Sequence, residues 1–523
     1  MRKYLAADLG LAREKGFDYF SKSEKWPVEE REFHEFSDFI RNTYNKIILQ
    51  IDNKSILDVA LTEFVFVTEM TNIFHYNYAY QYCLTENIKL ISSNDSDHYL
   101  NPNWDNIGNY YSKLSANYST IKGYIKNKIK NIVFNMHLPV GKLVHKFFTG
   151  SSIVGIGSND RIKQEFIKNN RVFCDNRDGH EIIKNAINFL SKNKRDNSID
   201  KVEIYIDKKI ITPFICELQN TKSDFIKGID WSVVKKVWLK RFLEAYKIYS
   251  GLILISIPES LLVTEVGKPH SKLISLAFQR KGCKVFNFHH GNDSGLLNKK
   301  WAYQSLFAHC NNYVVDTKVI CNRLKKINSK QTSIRKEKTN FISVNSNYYA
   351  NLRKLPHRTN SKKIMLMGFP MNLGRYSYDS YLFFNFKIKL ENTLIDIMRD
   401  SGCLVGYKAH PDRLEEIKSV ILVDDIVEQP FESVWSDAGV LVFTYVSTTT
   451  FCYALNLPIA IVLIEMPETP WYENMREIVE KRVEIVKTYV TDNQINICHN
   501  ELINAINLSK NKVDLNVAEE ITG

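Results

Sequence analysis

The segment Tyr407-Lys408-Ala409-His410-Pro411 carries the residue types and spacing that suit phosphate binding. The apolar run before it predicts a strand, and Pro411 would end that strand just after delivering Lys408 and His410 to its carboxyl end. Lysine offers a point charge to a phosphate, and histidine can donate a hydrogen bond or a proton to a phosphate oxygen. The alternative is a surface turn that contains an incidental histidine.

Two further segments could complete an anion site. Ser447, Thr448 and Thr449 follow an apolar run and precede a predicted helix over 451–455, where hydroxyls and backbone N–H groups can bind an anion. A simple Ser/Thr N-cap has the same appearance. Between these segments lies Glu432, whose carboxylate could accept both hydroxyls of a ribose or could merely balance a helix dipole.

Candidates for a general base lie earlier in the chain. His290 and Asp293 belong to the loop His289-His290-Gly291-Asn292-Asp293, which follows a predicted strand, and either side chain could accept a proton. Glu265, in another loop that follows a strand, is a rival base. A structural turn is the alternative for the histidine loop. Arg375 could bind a carboxylate or a phosphate with two parallel hydrogen bonds, or could be an ordinary solvated arginine.

Metal sites are not predicted. Asp95-Ser96-Asp97 has the Asp-x-Asp spacing, but it sits in a polar stretch far from the other candidates, and we interpret it as a turn. The nine cysteines form no CxxC pair, which argues against structural zinc. Lys408, His410 and a helix start can stabilise a leaving group without a metal, so we expect neither a metal nor a cofactor.

The elements that must position these residues alternate between strands and helices. From about residue 151 we predict strands at 152–156, 202–206, 252–257 and 284–288, with helices beginning near Arg161 and spanning 233–249. Gly155 and Gly157 could hold a phosphate at the first helix start, although a lone Gly-x-Gly is a weak signal. Such alternation is typical of doubly wound parallel sheets.

A second alternating unit follows a polar, basic stretch at 324–363, which we interpret as a linker. Strands are predicted at 363–368, 404–408, 420–423, 439–443 and 458–464. We therefore predict an α/β protein with two Rossmann-like domains facing a central cleft. The predicted domains are residues 1–350 and residues 351–523. The first has a Rossmann-like core at about 151–320, preceded by extra N-terminal helices and a predicted strand at 59–67.

Composition limits the classes of partner. The 523 residues carry a formal net charge of +12, which favours an anionic partner, but the basic residues are scattered, which argues against a nucleic-acid arm. Neither a signal peptide nor a run of about 18 apolar residues is evident, so we expect a soluble or peripheral protein. The lysines of 121–148 form either a solvated helix face or a patch for anionic lipid.

Together, the three C-terminal segments resemble the donor-site motifs of bacterial sialyltransferases with the GT-B fold. Those enzymes carry a Lys-x-His-Pro motif, then a Phe-Glu segment, then a Ser-Ser/Thr pair. The resemblance implies that Lys408 and His410, with the Pro411 turn, contact the phosphate of CMP, that Glu432 holds the ribose, and that Ser447, Thr448 and Thr449 complete the phosphate site. Kdo transferases and glycerol- or ribitol-phosphate transferases also use a His-Pro turn and a Ser/Thr turn.

The N-terminal half departs from that pattern, because no acidic pair followed by glycine lies in a matching place. The resemblance implies a bacterial cytoplasmic glycosyltransferase, at the inner face of the membrane, that moves a nonulosonic acid or Kdo from a CMP donor to a glycan or lipid-linked acceptor. A CDP-glycerol or CDP-ribitol phosphotransferase and a non-catalytic nucleotide-binding partner of a glycan assembly complex are the alternatives. Nucleic acid is not an expected partner.

Overall fold

The computed structural model describes residues 3–94, 99–116, 135–139, 152–158, 160–192, 199–264, 267–290, 294–335, 337–356, 361–371, 383–412 and 414–523. These residues form mixed α/β structure built around two mainly parallel sheets. This confirms the predicted α/β class and is compatible with a Rossmann-like fold.

The strands of the described residues are, in chain order, Tyr4–Ala6 (β1), Lys89–Ile91 (β2), Ile153–Ile156 (β3), Asp175–Asn176 (β4), Ser260–Val263 (β5), Lys284–Phe288 (β6), Asn312–Val315 (β7), Asn340–Ser343 (β8), Lys363–Met367 (β9), Leu404–Lys408 (β10), Asp425–Val427 (β11), Val440–Phe443 (β12), Ala460–Glu465 (β13), Glu484–Thr491 (β14) and Gln494–Ile497 (β15). β1 and β2 form a separate parallel pair.

The first sheet has the order β4-β3-β5-β6-β7-β8, and all its strands are parallel. Burial along β5 explains why its last three residues, 261–263, are all apolar. Leu261 and Val263 pack in the main core, whereas Leu262 packs on the opposite face with Ile162 and Phe288. Both faces of the sheet are therefore covered, as parallel sheets require.

The second sheet has the order β11-β10-β9-β12-β13-β14-β15. Its strands are parallel except for β15, which forms an antiparallel hairpin with β14. Every residue of the central strand β12 is buried, and the helix Phe384–Asp400 packs beside β9 and β10. The apolar core continues from the N-terminal helices through both sheets.

The α-helices of the first half are Gly10–Lys15, Phe17–Ser21, Glu30–Ile48, Lys54–Thr85, Trp104–Gly108, Tyr110–Ala116, Arg161–Asn169, Gly179–Lys192, Ile199–Ile206, Thr212–Asn220 and Trp231–Leu254. Those of the second half are Pro269–Arg280, Ala302–Ser305, Lys318–Ser329, Tyr348–Arg353, Phe384–Asp400, Leu414–Val420, Phe431–Val434, Thr449–Leu455, Met475–Glu480, His499–Leu508 and Leu515–Thr522. Short 3-10 turns and a π-helix at Asp207–Ile211 connect some of them.

Helices replace three of the predicted strands. Residues 59–67 lie within Lys54–Thr85, which is buried on most faces and therefore lacks the periodicity of an amphipathic helix. Residues 202–206 belong to Ile199–Ile206, whose buried face continues at a spacing of four through Ile210 and Phe214. Residues 252–257 span the end of Trp231–Leu254 and the coil that follows it. Short apolar runs do not distinguish a strand from a buried helix.

The other element predictions had mixed outcomes. The strand at 420–423 is wrong, because the helix Leu414–Val420 ends there and β11 begins only at Asp425. Strands at 152–156, 284–288, 363–368, 404–408, 439–443 and 458–464 are confirmed within two residues. The predicted linker at 324–363 is not irregular, because it contains β8 and the helix Tyr348–Arg353. The chain passes from the first sheet to the second between β8 and β9.

The lysine-bearing stretch 121–148 lies outside the described residues except for 135–139, which form a turn. Within the described part of the chain, no helix is both long enough and apolar enough to cross a membrane.

Candidate functional site

The second sheet has a topological switch point between β9 and β12. Counted along the chain, its six parallel strands are arranged 3-2-1-4-5-6, so the connections from β9 and from β12 leave toward opposite sides. Ligands of doubly wound sheets bind at such a point, outside the carboxyl ends of the strands. The residues that follow β9, β10, β11 and β12 therefore define the first candidate site, which we call the nucleotide edge.

Lys408 and His410 reach the nucleotide edge at the end of β10, as the sequence predicts. Lys408 is 8% exposed, and its ammonium donates to the carbonyl oxygen of Ala409 at 2.6 Å. Burial lowers the pKa of Lys408, and the negative charges of Glu432 and Glu428 partly offset this. A lysine that is largely desolvated but charged interacts strongly with an incoming anion.

The tautomer of His410 follows from one hydrogen bond. The backbone N–H of Asp412 donates to Nδ1 of His410 at 3.1 Å, so the neutral ring carries its proton on Nε2. Burial lowers the pKa of His410, as does the nearby charge of Lys408, against an opposing effect of Asp412. His410 can therefore donate a hydrogen bond from Nε2. Pro411, which forms the turn with Asp412, is exposed.

The hydroxyl segment follows β12. Ser447 is 8% exposed, Thr448 is half-buried and Thr449 is exposed. The Thr448 hydroxyl caps the helix Thr449–Leu455 by accepting a hydrogen bond from the backbone N–H of Thr450 at 3.2 Å. The N-cap interpretation is thus realised at Thr448, although a hydroxyl that accepts one hydrogen bond can still donate another.

Glu432 lies in the short helix Phe431–Val434 that follows β11, and its side chain is exposed. Its charge acts on Lys408 and also raises the pKa of Tyr348 and Tyr453, although burial is the larger cause for both tyrosines. Glu432 is therefore close to Lys408 and to the helix after β12. The fold thus brings together residues that are separated by 21 or more positions in the sequence.

A buried polar network connects the strands whose ends form the nucleotide edge. Lys387, in the helix Phe384–Asp400, pairs with Glu391 at 2.9 Å and donates to the Thr444 hydroxyl at 2.9 Å. The Tyr407 hydroxyl donates to the other Glu391 oxygen at 2.8 Å. Gly368, which follows β9, must be glycine, because a Cβ atom there would lie 2.4 Å from the Tyr407 hydroxyl oxygen.

The first sheet also has a switch point, between β3 and β5, with chain order 2-1-3-4-5-6. Three loops meet beside it. The Thr264 hydroxyl, after β5, donates to the Ser158 carbonyl oxygen at 2.7 Å, and the Ser158 hydroxyl donates to Oδ1 of Asp160, after β3. Nδ1 of His290, after β6, lies 2.9 Å from Oδ2 of the same carboxylate. We call this cluster the base edge.

Asp160 is the residue that the sequence interpretation missed. Burial alone would raise its pKa, but hydrogen bonds from His290 and Ser158, together with the charges of His290 and Lys163, hold the pKa of Asp160 below its ordinary value. The weak Gly-x-Gly signal lies just before it. Packing explains why residue 155 is glycine, because a Cβ atom there would lie 2.8 Å from Lys163 Nζ and 2.4 Å from Asn176 Oδ1.

Elements that follow the carboxyl ends of both sheets contact one another. Tyr472, after β13, donates its backbone N–H to the carbonyl oxygen of Leu296, after β6, at 2.9 Å, and Leu297 and Trp471 form an antiparallel bridge. Thr444, Val446 and Met466 line a cleft together with Leu297.

A second bridge between the sheets combines a cation–π contact with an edge-to-face contact of two rings. The Arg161 guanidinium, after β3, lies 3.7 Å from the ring centre of Tyr348, and this ring contacts Tyr453 in the helix after β12 at 5.9 Å between centroids. Arg161 is also paired with the buried carboxylate of Asp316. Arg161, which follows β3 of the first sheet, is therefore connected through Tyr348 to the helix after β12 of the second sheet.

Three predicted site residues, Glu265, Asp293 and Arg375, lie outside the described residues. Asp95 and Asp97, which we interpreted as a turn, lie there as well. In the part of the chain that the structure describes, no three His, Cys, Asp or Glu side chains are grouped so that they could hold a metal ion.

No protein-family model matches this sequence, and no curated protein is significantly similar to it.

Proposed function

We propose that the chain is a glycosyltransferase of the GT-B type that moves a 2-keto sugar acid, a nonulosonic acid or Kdo, from a CMP donor to a hydroxyl of a surface glycan. One observation carries the proposal. Residues of types suited to phosphate binding lie at the switch point of one sheet, an imidazole–carboxylate pair lies at the edge of the other, and loops at the carboxyl edges of the two sheets contact each other.

The nucleotide edge supplies the donor site in this proposal. Lys408 and the Nε2–H of His410 bind the phosphate, helped by Ser447 and the turn at Thr448 and Thr449. Glu432 holds the ribose. A partly buried cation and a neutral imidazole donor are suited to the charge that develops on a departing phosphate. The choice of CMP over other nucleotides rests on the motif resemblance.

The base edge supplies the acceptor side. An acceptor hydroxyl gives its proton to His290, and its oxygen forms a bond to the anomeric carbon of the donor. The bond between that carbon and the phosphate oxygen breaks, and CMP leaves with both electrons of this bond. Residues 1–350 and 351–523 are the proposed domains, and the cleft between them would exclude water during transfer.

The partners and the location are part of the same proposal. The acceptor is a growing glycan or a lipid-linked glycan in the bacterial cytoplasm. The formal net charge of +12 suits an acidic glycan and the anionic inner face of a membrane.

Nucleotide binding tests the donor site directly. We would titrate CMP, CDP, UDP and GDP into the wild-type protein by calorimetry, and repeat the titrations with His410→Ala. We expect CMP to bind best and the substitution to weaken it by about tenfold to a hundredfold, the value of a hydrogen bond to a charged group. His499→Ala, an exposed histidine at the start of His499–Leu508, is the matched control and should leave affinity unchanged.

Each other outcome has a definite meaning. A preference for UDP or GDP would contradict the donor class, and no binding at all would contradict the donor site. CMP binding without turnover would favour a non-catalytic nucleotide-binding partner. If CMP binds, release of CMP from keto-sugar donors supports the proposal. CMP release only from CDP-glycerol or CDP-ribitol, with a polyol-phosphate acceptor, would favour the phosphotransferase instead.

A further inference from the structure

The His290–Asp160 contact joins residues from two strands that are not neighbours. β3 and β6 lie on either side of β5, so the contact passes over the carboxyl end of β5. Nδ1 of His290 and Oδ2 of Asp160 are 2.9 Å apart, and the imidazole is 70% exposed whereas the carboxylate is 20% exposed. A half-sheltered carboxylate thus meets a ring that projects into solvent.

Asp160 is itself held in place. Its Oδ1 accepts a hydrogen bond from the Ser158 hydroxyl, and Thr264 fixes the Ser158 backbone through a hydrogen bond to the Ser158 carbonyl oxygen. The helix Arg161–Asn169 begins directly after Asp160, so the carboxylate lies at the N-terminus of this helix. One oxygen of the carboxylate is thereby committed to Ser158, and the other is directed at His290.

This arrangement decides the chemistry of the ring. An ionised carboxylate at Nδ1 favours the tautomer with a proton on Nδ1, which makes Nε2 the atom that takes a proton from a substrate. The same carboxylate stabilises the imidazolium that forms after proton uptake. His290 follows β6, and Leu296 and Leu297, which also follow β6, contact the loop after β13 of the second sheet.

We propose that Asp160 is the positioning residue for His290 as general base, which fixes the imidazole tautomer and stabilises its protonated form. The identity of the substrate in this proposal rests on the proposed function. The coupling between His290 and Asp160 does not depend on that function. Of the three bases that the sequence predicts, His290 is the one within the described residues, and a carboxylate lies at its Nδ1.

The test is Asp160→Asn, which keeps the shape and the Ser158 hydrogen bond but removes the charge. In a ¹³C-histidine NMR titration, with His290→Gln used to assign the signal, we expect the pKa of His290 to fall by about one unit or more in the variant. In transfer assays kcat should fall by about a hundredfold or more. The acid limb of the pH–rate profile should move to lower pH, because the base would lose its proton more easily.

Asp178→Asn is the matched control. Asp178 pairs with His180 through the same atoms at 2.9 Å, on the loop after β4, and its removal should change neither the His290 titration nor the pH profile. Asp160→Glu restores the charge in a different place. In Asp160→Glu the pKa of His290 should stay close to its wild-type value, whereas the transfer rate should stay low. This variant also provides a second measurement if Asp160→Asn does not fold.

The outcomes separate this inference from the function. An unchanged His290 titration in folded Asp160→Asn, or in Asp160→Ala if Asp160→Asn does not fold, overturns the coupling whatever the protein transfers. Normal coupling in a protein that neither binds CMP nor transfers sugar would contradict the proposed function but leave the pair intact. Equal loss of rate in the Asp160 and Asp178 variants, with no shift of the pH profile, would mean that Asp160 is only structural.

Discussion

The buried ammonium of Lys387 donates a hydrogen bond of 2.9 Å to the hydroxyl of Thr444, the first residue after β12. The same ammonium pairs with Glu391, which in turn accepts a hydrogen bond from Tyr407, the residue before Lys408. One ion pair therefore connects the ends of β10 and β12, the two strands that present the candidate phosphate-binding residues Lys408 and Ser447. The geometry of the nucleotide edge depends on this network rather than on the loops alone.

Replacing Lys387 should destabilise the protein. In Lys387→Met the carboxylate of Glu391 stays buried without its cation, and removal of one partner of a buried pair costs about 3–5 kcal/mol. We expect a clear loss of the free energy of unfolding in urea, together with weaker CMP binding, because the Thr444 hydroxyl loses its donor.

Lys389→Met is the control, because Lys389 lies two positions further along the same helix and is exposed. It should change the free energy of unfolding by less than about 0.5 kcal/mol. The double variant Lys387→Met, Glu391→Leu should recover part of the stability, since no charge is then left buried. Equal stability of the Lys387 and Lys389 variants would refute the role of the network.

Lys408 should contribute charge to nucleotide binding. Lys408→Met removes a mostly buried cation from the end of β10, and we expect CMP affinity to fall by about tenfold to a hundredfold, with a weaker dependence on salt. Calorimetry at two salt concentrations measures both effects. Lys418→Met, in the exposed helix after β10, is the matched charge change. If both variants bind CMP like wild type, Lys408 is not a phosphate ligand.

Glu432 should distinguish ribose from deoxyribose. The wild-type protein should bind CMP about tenfold or more tightly than 2′-deoxy-CMP, because a carboxylate that accepts a hydroxyl forms a charged hydrogen bond. In Glu432→Ala this preference should disappear. Glu428→Ala removes a second exposed carboxylate that also acts on Lys408, so it controls for charge alone. Retained preference in Glu432→Ala would assign the ribose to another residue.

The nucleotide edge was accessible from the sequence because its signals are local. An apolar run followed by Lys408 and then by Pro411 predicts a strand that places Lys408 and His410 at its carboxyl end, and β10 ends where this pattern predicts. The N-cap at Thr448 is equally local. The Lys387–Glu391 pair was not predicted, because a spacing of four on a helix usually marks a solvated pair, and only the tertiary packing buries it.

The base edge could not be predicted from local sequence patterns. Asp160 and His290 are 130 positions apart, and their contact depends on the strand order β3-β5-β6. No short-range pattern encodes that order, since each strand is simply a short apolar segment. The misplaced strands at 202–206 and 252–257 made it harder still, because they suggested that other strands separate β3 from β6.

The pH dependence of stability provides a test of the core of the first sheet. Lys272, in the helix Pro269–Arg280, is buried and donates to the Ser305 carbonyl oxygen at 2.7 Å, and its Nζ lies 3.1 Å from Nε2 of His309. Burial lowers the pKa of Lys272 to about 7. Burial also lowers the pKa of His309, with smaller contributions from the charges of Lys272 and Arg335.

Between pH 7 and pH 10.5, the ordinary pKa of lysine, the unfolded chain holds a proton on Lys272 that the folded chain lacks. Unfolding then takes up a proton, so the contribution of Lys272 to stability rises with pH in this window, by up to about 1.4 kcal/mol per pH unit. We expect the wild-type free energy of unfolding to rise from pH 7 to pH 9 relative to Lys272→Met. The exposed Lys281→Met should follow wild type. Parallel curves for wild type and Lys272→Met would show that Lys272 keeps its proton when folded, and that its pairing with backbone carbonyls outweighs its burial.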